Sequence, residues 1–402
     1  MPDSDTDRAP DWIPPPDGLA AEGGVGRSPW SGLVAVAFVL GLAIPGVAEV
    51  AGVRPPEVRA EPAASLPALS LTSLLDPKTV AAVDAALARN LPGRDQAIRA
   101  YAVLRYRLLH GSTSPLVVVG QGSWLFFRDE IKPYCPLTAD EVLAQVDRAA
   151  SATDGAGVAF RFTVAPDKAA IYPDQVMETE STPERCTDRL RAALRAGMAA
   201  RTGSTVDLWA PILAHARAAA EPIYFDEDTH WTPVGALDAA RSLVESLDAN
   251  VWSEDEITVD GTVPYSMDLA RVLGDPQMVP IPRYVIRPAM TVTRTTIPTA
   301  IHLTREPEIE VYTSEGPGPV FPGTTLVIGD SFFDRGHARA LIVPWFGKTI
   351  WVHIGDLFAN PELAADFPPI DTIIVERAER YAYAIDLDAV IGAVLAARTG
   401  AP

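Results

Sequence analysis

The order of apolar and polar positions separates an irregular N-terminal stretch from a body with regular periodicity. Residues 1–29 are rich in Pro, Gly and Asp and show no period, the mark of a disordered tail. Residues 30–48 carry no charged side chain over about one bilayer crossing. Residues 49–75 hold several prolines and read as a tether. From Asp76-Pro77, a cap followed by proline, a helix is predicted to about residue 88. Leu91-Pro92-Gly93 breaks it, and a second helix covers 94–109. Residues 116–120 and 124–127 predict two short strands around a Gln-Gly-Ser turn. Thr138-Ala139-Asp140-Glu141 has capping-box spacing and opens a helix to about 152. A strand at 158–164, a helix at 183–201, a strand at 205–208 and a helix at 210–220 follow. Thr232-Pro233 starts a helix to about 247. Over 250–322 helical periodicity gives way to short β-like runs punctuated by proline, which predicts a β-rich insertion. Strands at 325–328, 349–354 and 372–375 and a last helix at 387–397 resume the alternation. Such alternation predicts an α/β fold, a parallel sheet flanked by helices.

Arg27 precedes the apolar run and Glu49 follows it. The positive-inside bias then puts residues 1–29 in the cytoplasm, 30–48 across the membrane as an anchor, and the body outside. A cleaved signal peptide is the rival, since Gly46-Val47-Ala48 resembles a cleavage site, but the long leader favours an uncleaved anchor. Pro45 and the glycines weigh against a buried soluble helix. A formal net charge of −19 excludes nucleic acid and anionic membrane surfaces as main partners. The two cysteines, Cys135 and Cys186, form no Cys-x-x-Cys or Cys/His cluster, so no metal and no cofactor is expected. They fit one disulfide outside the cytoplasm or two buried thiols inside it.

The candidate chemistry lies in two stretches. Leu326-Val327-Ile328 runs into Gly329-Asp330-Ser331-Phe332, the way a strand delivers a serine to a turn at the carboxyl edge of a parallel sheet. Serine needs a base. Asp228-Thr229-His230 supplies an imidazole and, two residues away, a carboxylate to fix its tautomer and stabilise the imidazolium. Each stretch also has a plain reading: Asp226 and Asp228 as caps of the next helix, His230-Trp231 as a half-buried pair, Gly-Asp-Ser as a turn. The other histidines (His110, His215, His302, His337, His353) lack a carboxylate at such spacing.

Asp228-Thr229-His230-Trp231 with Gly235, followed by Gly329-Asp330-Ser331-Phe332, resembles the AlgX/AlgJ group. These are SGNH-hydrolase-like polysaccharide O-acetyltransferases of alginate and related exopolysaccharide systems. Gly120-Gln121-Gly122-Ser123-Trp124-Leu125-Phe126 and Val164-Ala165-Pro166-Asp167-Lys168 with Tyr172-Pro173 extend the likeness over roughly residues 76–398. The order, Asp/His before Ser, is the group's and the reverse of most SGNH esterases. The resemblance implies an SGNH-hydrolase-like (flavodoxin-like) domain in which Ser331 accepts an acetyl group, His230 is the base and Asp228 its orienter. It implies a polysaccharide acceptor, a membrane-bound O-acyltransferase as acetyl donor partner, and an extracytoplasmic body in which Cys135–Cys186 pairing fits. The esterase pattern of oxyanion donors is incomplete; Gly355 and Arg377, at the ends of the strands after Ser331, are the candidates. Trp231, Lys168 and Tyr172 are candidates for the acceptor groove, although a strand-end lysine also fits a solvated charge. The acidic composition suggests a neutral or weakly charged glycan. An acetylesterase using the same residues, or a non-catalytic glycan-binding subunit of an export complex, are the alternatives.

Overall fold

A computed structural model describes residues 76–90, 94–177, 184–219, 221–299, 301–303, 309–334 and 338–399, together with helical positions at 32, 33 and 36. The expected tail (1–29) and tether (49–75), most of the expected crossing (30–48), and His337 lie outside the described residues. Among the described residues no helix is long and apolar enough to cross a membrane. The chain forms two compact units, Met1–Asp95 and Gln96–Pro402. In the first, helix α1 (Pro77–Asn90) starts where Asp76 accepts hydrogen bonds from the N–H of Lys78 (3.2 Å) and the hydroxyl of Thr79 (3.0 Å), the expected cap.

In the second unit, α2 (Arg94–Val103, entering it at residue 96) continues as a π-helical turn over Leu104–Leu108. Strands β1 (Val117–Val119) and β2 (Leu125–Phe127) make the expected antiparallel hairpin. Thr138 caps α3 (Ala139–Gly155): its hydroxyl accepts the Glu141 N–H at 3.3 Å, and the Glu141 carboxylate accepts the Thr138 N–H at 2.7 Å. Then come β3 (Ala159–Ala165), the short α4 (Lys168–Ile171), α5 (Cys186–Ala199), β4 (Thr205–Val206), α6 (Trp209–Ala218) and α7 (Pro233–Leu247). The β-rich stretch contains β5 (Ile257–Ser266), α8 (Asp268–Leu273), β6 (Met278–Ile286), β7 (Thr291–Ile297) and β8 (Ile309–Glu315). The chain closes with β9 (Phe321–Gly329), α9 (Ser331–Asp334), β10 (Phe346–His353), α10 (Ile354–Ala359), β11 (Thr372–Ala378) and α11 (Leu387–Thr399).

Seven strands form one sheet in the order β4-β3-β11-β9-β10-β8-β7. The first five pair in parallel; β8 pairs antiparallel with β10, and β7 with β8. Strand alternation explains the two cores. Leu326 and Ile328 of β9 enter a cluster with Val142 and Val146 of α3 and Leu387 and Val390 of α11. Val327 between them enters the other cluster, with Ala236, Ala239 and Leu243 of α7. Helices therefore cover both faces, and the carboxyl ends of β3, β11, β9 and β10 share one edge. The chain moves outward from β9 to β10, then returns to place β11 on the other side of β9. That reversal makes the end of β9 a topological switch point, the place where α/β sheets bind ligands.

Two expectations for 250–322 need correction. The stretch is not only an insertion: β7 and β8 extend the main sheet, while β5 and β6 form a separate two-stranded ribbon. Nor is it free of helix. Leu269, Ala270 and Leu273 bury one side of α8, a pattern too short to register as periodicity among the prolines.

Candidate active site

Gly329 ends β9 and Ser331 begins α9, so the serine stands at the central carboxyl edge of the sheet, half-buried. The turn is held by buried carboxylates. Asp330 accepts the N–H of Phe332 (3.1 Å) through Oδ1 and that of Ala378 (2.8 Å) through Oδ2, which ties the turn to the end of β11. Its own N–H donates to Glu376 Oε2 at 2.9 Å. A side chain on Gly329 would bring Cβ to 3.2 Å from that oxygen and 3.1 Å from Phe333 Cβ, closer than most such contacts, so glycine fits the approach. Glu376 is fully buried, and burial, with the charge of Asp330, pushes its carboxyl well above the usual range.

Asp228 and His230 lie in a tight loop between α6 and α7. Tyr224 and Trp231 bridge across it, Thr232 N–H donates to Ile223 O (2.8 Å), and Phe225 N–H donates to His230 O (3.2 Å). Gly235, in the first turn of α7, lets this loop sit close: a Cβ there would stand 2.7 Å from Ile223 O and 2.9 Å from Trp231 Cβ. Asp228 and His230 are buried. Asp228 Oδ1 meets His230 Nδ1 at 2.8 Å and accepts the His230 N–H at 2.9 Å. Burial alone would raise the Asp228 carboxyl, but the hydrogen bond and charge of His230 and the N–H groups of Asp268 and His230 outweigh it and hold it down at about 2. Nδ1 is thus committed to the carboxylate. Nε2 is buried and has no hydrogen-bond partner among the described residues.

The two stretches meet. The ring of Phe332, next after Ser331, lies 5.1 Å from the His230 ring and 4.9 Å from the Trp231 ring, centroid to centroid. Arg380, also buried, stands 5.3 Å over the Phe332 ring and pairs with Asp167 at 2.5 Å.

The other predicted residues divide. Arg377 stands where expected, beside the serine turn: its guanidinium is 3.6 Å from Asp330 Oδ2 and 4.8 Å over the Tyr381 ring. The N–H of Gly355 donates to His353 Nδ1 at 3.0 Å, so it caps its own helix α10 rather than being spare for an oxyanion. Trp231 is fully buried and packs in the core, which removes it from any groove; the bulk of an indole following a turn is better satisfied inward. Lys168 is neither solvated nor groove-lining. It is fully buried, and Nζ donates to the carbonyls of Phe225 (3.0 Å), Asp226 (3.1 Å) and Asp228 (2.5 Å). Burial pulls its ammonium below the usual lysine range against the charges of Glu130, Asp228, Asp268 and Asp226. Tyr172 is half-buried; its hydroxyl accepts the Ile223 N–H at 2.9 Å, and its ring lies 4.8 Å from Trp124. Cys135 and Cys186 form a disulfide. His215 does have a carboxylate: Asp238 Oδ2 lies 2.6 Å from its Nδ1, supplied by α7 and invisible to local spacing.

Sequence reasoning missed Asp268. It opens α8, accepts the Thr229 N–H at 2.8 Å, gives its N–H to Asp228 Oδ2 at 2.7 Å, and brings Oδ2 to 3.6 Å from His230 Nδ1. It also missed Glu227, which takes a hydrogen bond from Tyr106 (3.1 Å) and an ion pair from Arg107 (2.5 Å). Asp228, His230 and Asp268 bring ligand atoms within 4.8 Å of one another, the spacing of a cation site. The 2.8 Å Nδ1 to Oδ1 contact is instead a hydrogen-bond distance.

Residues 117–289 match a family model described as "ALGX: SGNH hydrolase-like domain, acetyltransferase AlgX". That stretch contains Asp228, His230 and Asp268 and stops before Ser331. The chain is 29% identical over 180 residues to the probable alginate O-acetylase AlgJ of Azotobacter vinelandii, covering 44% of this chain and 45% of that one. It is 27% identical over 208 residues to the Pseudomonas putida protein of the same name, covering 50% and 53%. The chain thus spans about half the length of the curated relatives it matches. The solved O-acetyltransferase domain of Pseudomonas putida AlgJ aligns over 70% of this chain and 99% of that one, at 19% identity and TM-score 0.43. The resemblance to the AlgX/AlgJ group, read from the two motifs, is borne out.

Proposed function

We propose that this protein is a polysaccharide O-acetyltransferase of the AlgX/AlgJ type, acting through an acetyl-serine intermediate. The observation that carries the reading is the His230 imidazole: Nδ1 held by Asp228 at 2.8 Å, Nε2 buried and unpartnered, and the ring against the residue that follows Ser331. In this reading Ser331 Oγ attacks the acetyl carbonyl while its proton passes to Nε2, and Asp228 stabilises the imidazolium. The proton then goes to the leaving group. A sugar hydroxyl, deprotonated in turn by His230, takes the acetyl group and frees Ser331. The half-buried Arg377, 3.6 Å from Asp330 of the serine turn, is the group assigned to face the oxyanion; the Gly355 N–H has its own acceptor.

The chemistry sits on an SGNH-hydrolase-like scaffold. Residues 30–48 anchor it to the membrane with the body, residues 76–398, outside, where a membrane-bound O-acyltransferase supplies acetyl groups. The disulfide supports an oxidising compartment. The acceptor is a cell-surface or secreted glycan, and the net charge of −19 favours a neutral or weakly charged one.

The test is an aryl-acetate donor assay with neutral and anionic oligosaccharides, on wild type and Ser331→Ala. Acetylated sugar from wild type and none from Ser331→Ala supports the proposal. Equal activity in the two proteins overturns the serine assignment, and acetate released to water alone, whatever the acceptor, makes the protein an esterase. A clear preference for the anionic acceptor overturns the inference from charge.

A further inference from the structure

We infer that Asp268, at the start of α8, is a positioning residue for the reaction, a second carboxylate that holds Asp228 and backs the imidazole of His230. The inference rests on the proposed roles of Ser331, His230 and Asp228.

The geometry makes Asp268 part of the base and not merely a helix start. Its backbone N–H donates to Asp228 Oδ2 at 2.7 Å, the oxygen that His230 does not use. Its Oδ1 accepts the N–H of Thr229, between Asp228 and His230, at 2.8 Å. Its Oδ2 reaches 3.6 Å from His230 Nδ1, beyond hydrogen-bond reach but close enough for a strong interaction between charges. A neighbouring N–H of the same helix, that of Ala270, donates to Glu227 O at 3.2 Å, so α8 grips three consecutive loop residues.

One backbone bond would suffice to pin the loop. The side chain adds something different. As Ser331 Oγ bonds to the acetyl carbon, its proton moves to Nε2 and the ring becomes cationic. Two carboxylates then face the Nδ1 side, one bonded and one at 3.6 Å. The buried ammonium of Lys168 is occupied by the loop carbonyls, including that of Asp228. Burial, then the charge of Asp228, raises the Asp268 carboxyl, and His230 opposes this.

Asp268→Asn separates the two roles. It keeps the backbone N–H and an oxygen for Thr229 but removes the charge. The readout is the rate at which a sulfonyl fluoride modifies Ser331, followed by mass, together with aryl-acetate kinetics across pH. The expected result is a loss of about tenfold in the rate of serine modification and in kcat, with KM unchanged and the unfolding midpoint no lower than that of wild type. The acid limb of the pH profile moves to lower pH, because one of the two carboxylates beside Nδ1 has been made neutral. Asp268→Ser, which retains a short acceptor for Thr229, gives the same limb shift and is read in its place should the amide variant not fold. Modification of the variant at the wild-type rate, or a loss with an unmoved acid limb, overturns the role of Asp268 alone. If the wild-type serine is not modified at all, the proposed function falls and this inference falls with it.

Discussion

Lys168→Met probes what holds the Asp228–His230 loop. The ammonium is fully buried and bonds three loop carbonyls at 3.0, 3.1 and 2.5 Å. Methionine matches its length and removes the donors. The Asp226 carbonyl keeps the N–H of Leu125 at 2.8 Å, so the loss falls mainly on Phe225 and Asp228. A buried carbonyl left without a partner costs about 1–3 kcal/mol, so two cost about 2–6 kcal/mol. Relief from burying an ammonium returns part of this. The net is about 2–4 kcal/mol, or roughly 5–10 °C in the unfolding midpoint of a domain this size. Because Asp228 is one of the residues freed, the rate of serine acylation also falls, at temperatures where the variant remains folded. Scanning calorimetry reads the first effect and a burst assay with an aryl acetate the second. Lys168→Arg does not rescue, since a planar fork cannot converge on three carbonyls around one point. A Lys168→Met protein with unchanged midpoint and unchanged burst would refute the reasoning and return Lys168 to a solvated strand-end charge.

Two further outcomes follow from buried groups. The Cys135–Cys186 bridge spans 51 residues of sequence, which in the chain-entropy description stabilises by up to about 4 kcal/mol. Reduction, or the paired serine variant, lowers the midpoint by up to about 10 °C, and identical midpoints with and without reductant contradict the bridge. The raised carboxyl of Glu376 gives a pH signature. A folded-state value above the unfolded one means that its contribution is present below the unfolded carboxylate range and is lost as pH rises toward the folded value. Glu376→Gln, neutral throughout, therefore gains on wild type as pH rises from about 4 to 7, and the gain disappears below about pH 4. A gain independent of pH, read from midpoints across that range, excludes the buried ionisation.

How much was legible in the sequence depended on whether the cause was local. Capping at Thr138, the hairpin from β1 to β2, and the parallel strands β3, β9, β10 and β11 rest on neighbouring residues, and periodicity found them. Asp228 beside His230 is equally local. Lys168 was misjudged because its partners lie about sixty residues away and are backbone atoms, which no side-chain pattern announces. Trp231 was misjudged because its packing against Phe332 exists only after the serine turn is in place. Gly355 has the right position at the end of a strand, but a histidine two residues earlier takes its N–H. Asp268 stayed hidden inside a stretch read as β-rich.

In the proposed mechanism these contacts make base and nucleophile separate parts. The loop carrying His230 is held by Lys168 at the start of α4, by Tyr106 and Arg107 through Glu227, and by Asp268 of α8. The serine turn is held by Glu376 and by Asp330 bonding Ala378, both at β11. None of those polar contacts crosses from one part to the other. The ring contacts do: Phe332 meets His230, Trp231 and Tyr224 at 5.1, 4.9 and 6.3 Å. Packing between rings constrains distance and tilt without a directional bond. Phe333 adds a second such contact, 6.5 Å from Trp231, so in the proposed mechanism the approach of Nε2 to Ser331 Oγ is tuned by ring packing in which Phe332 makes most of the contacts. Phe332→Leu keeps apolar volume and loses the ring, so it should leave the Asp228–His230 pair intact and lower kcat through misalignment. A variant with wild-type kcat would place the alignment of the two parts elsewhere.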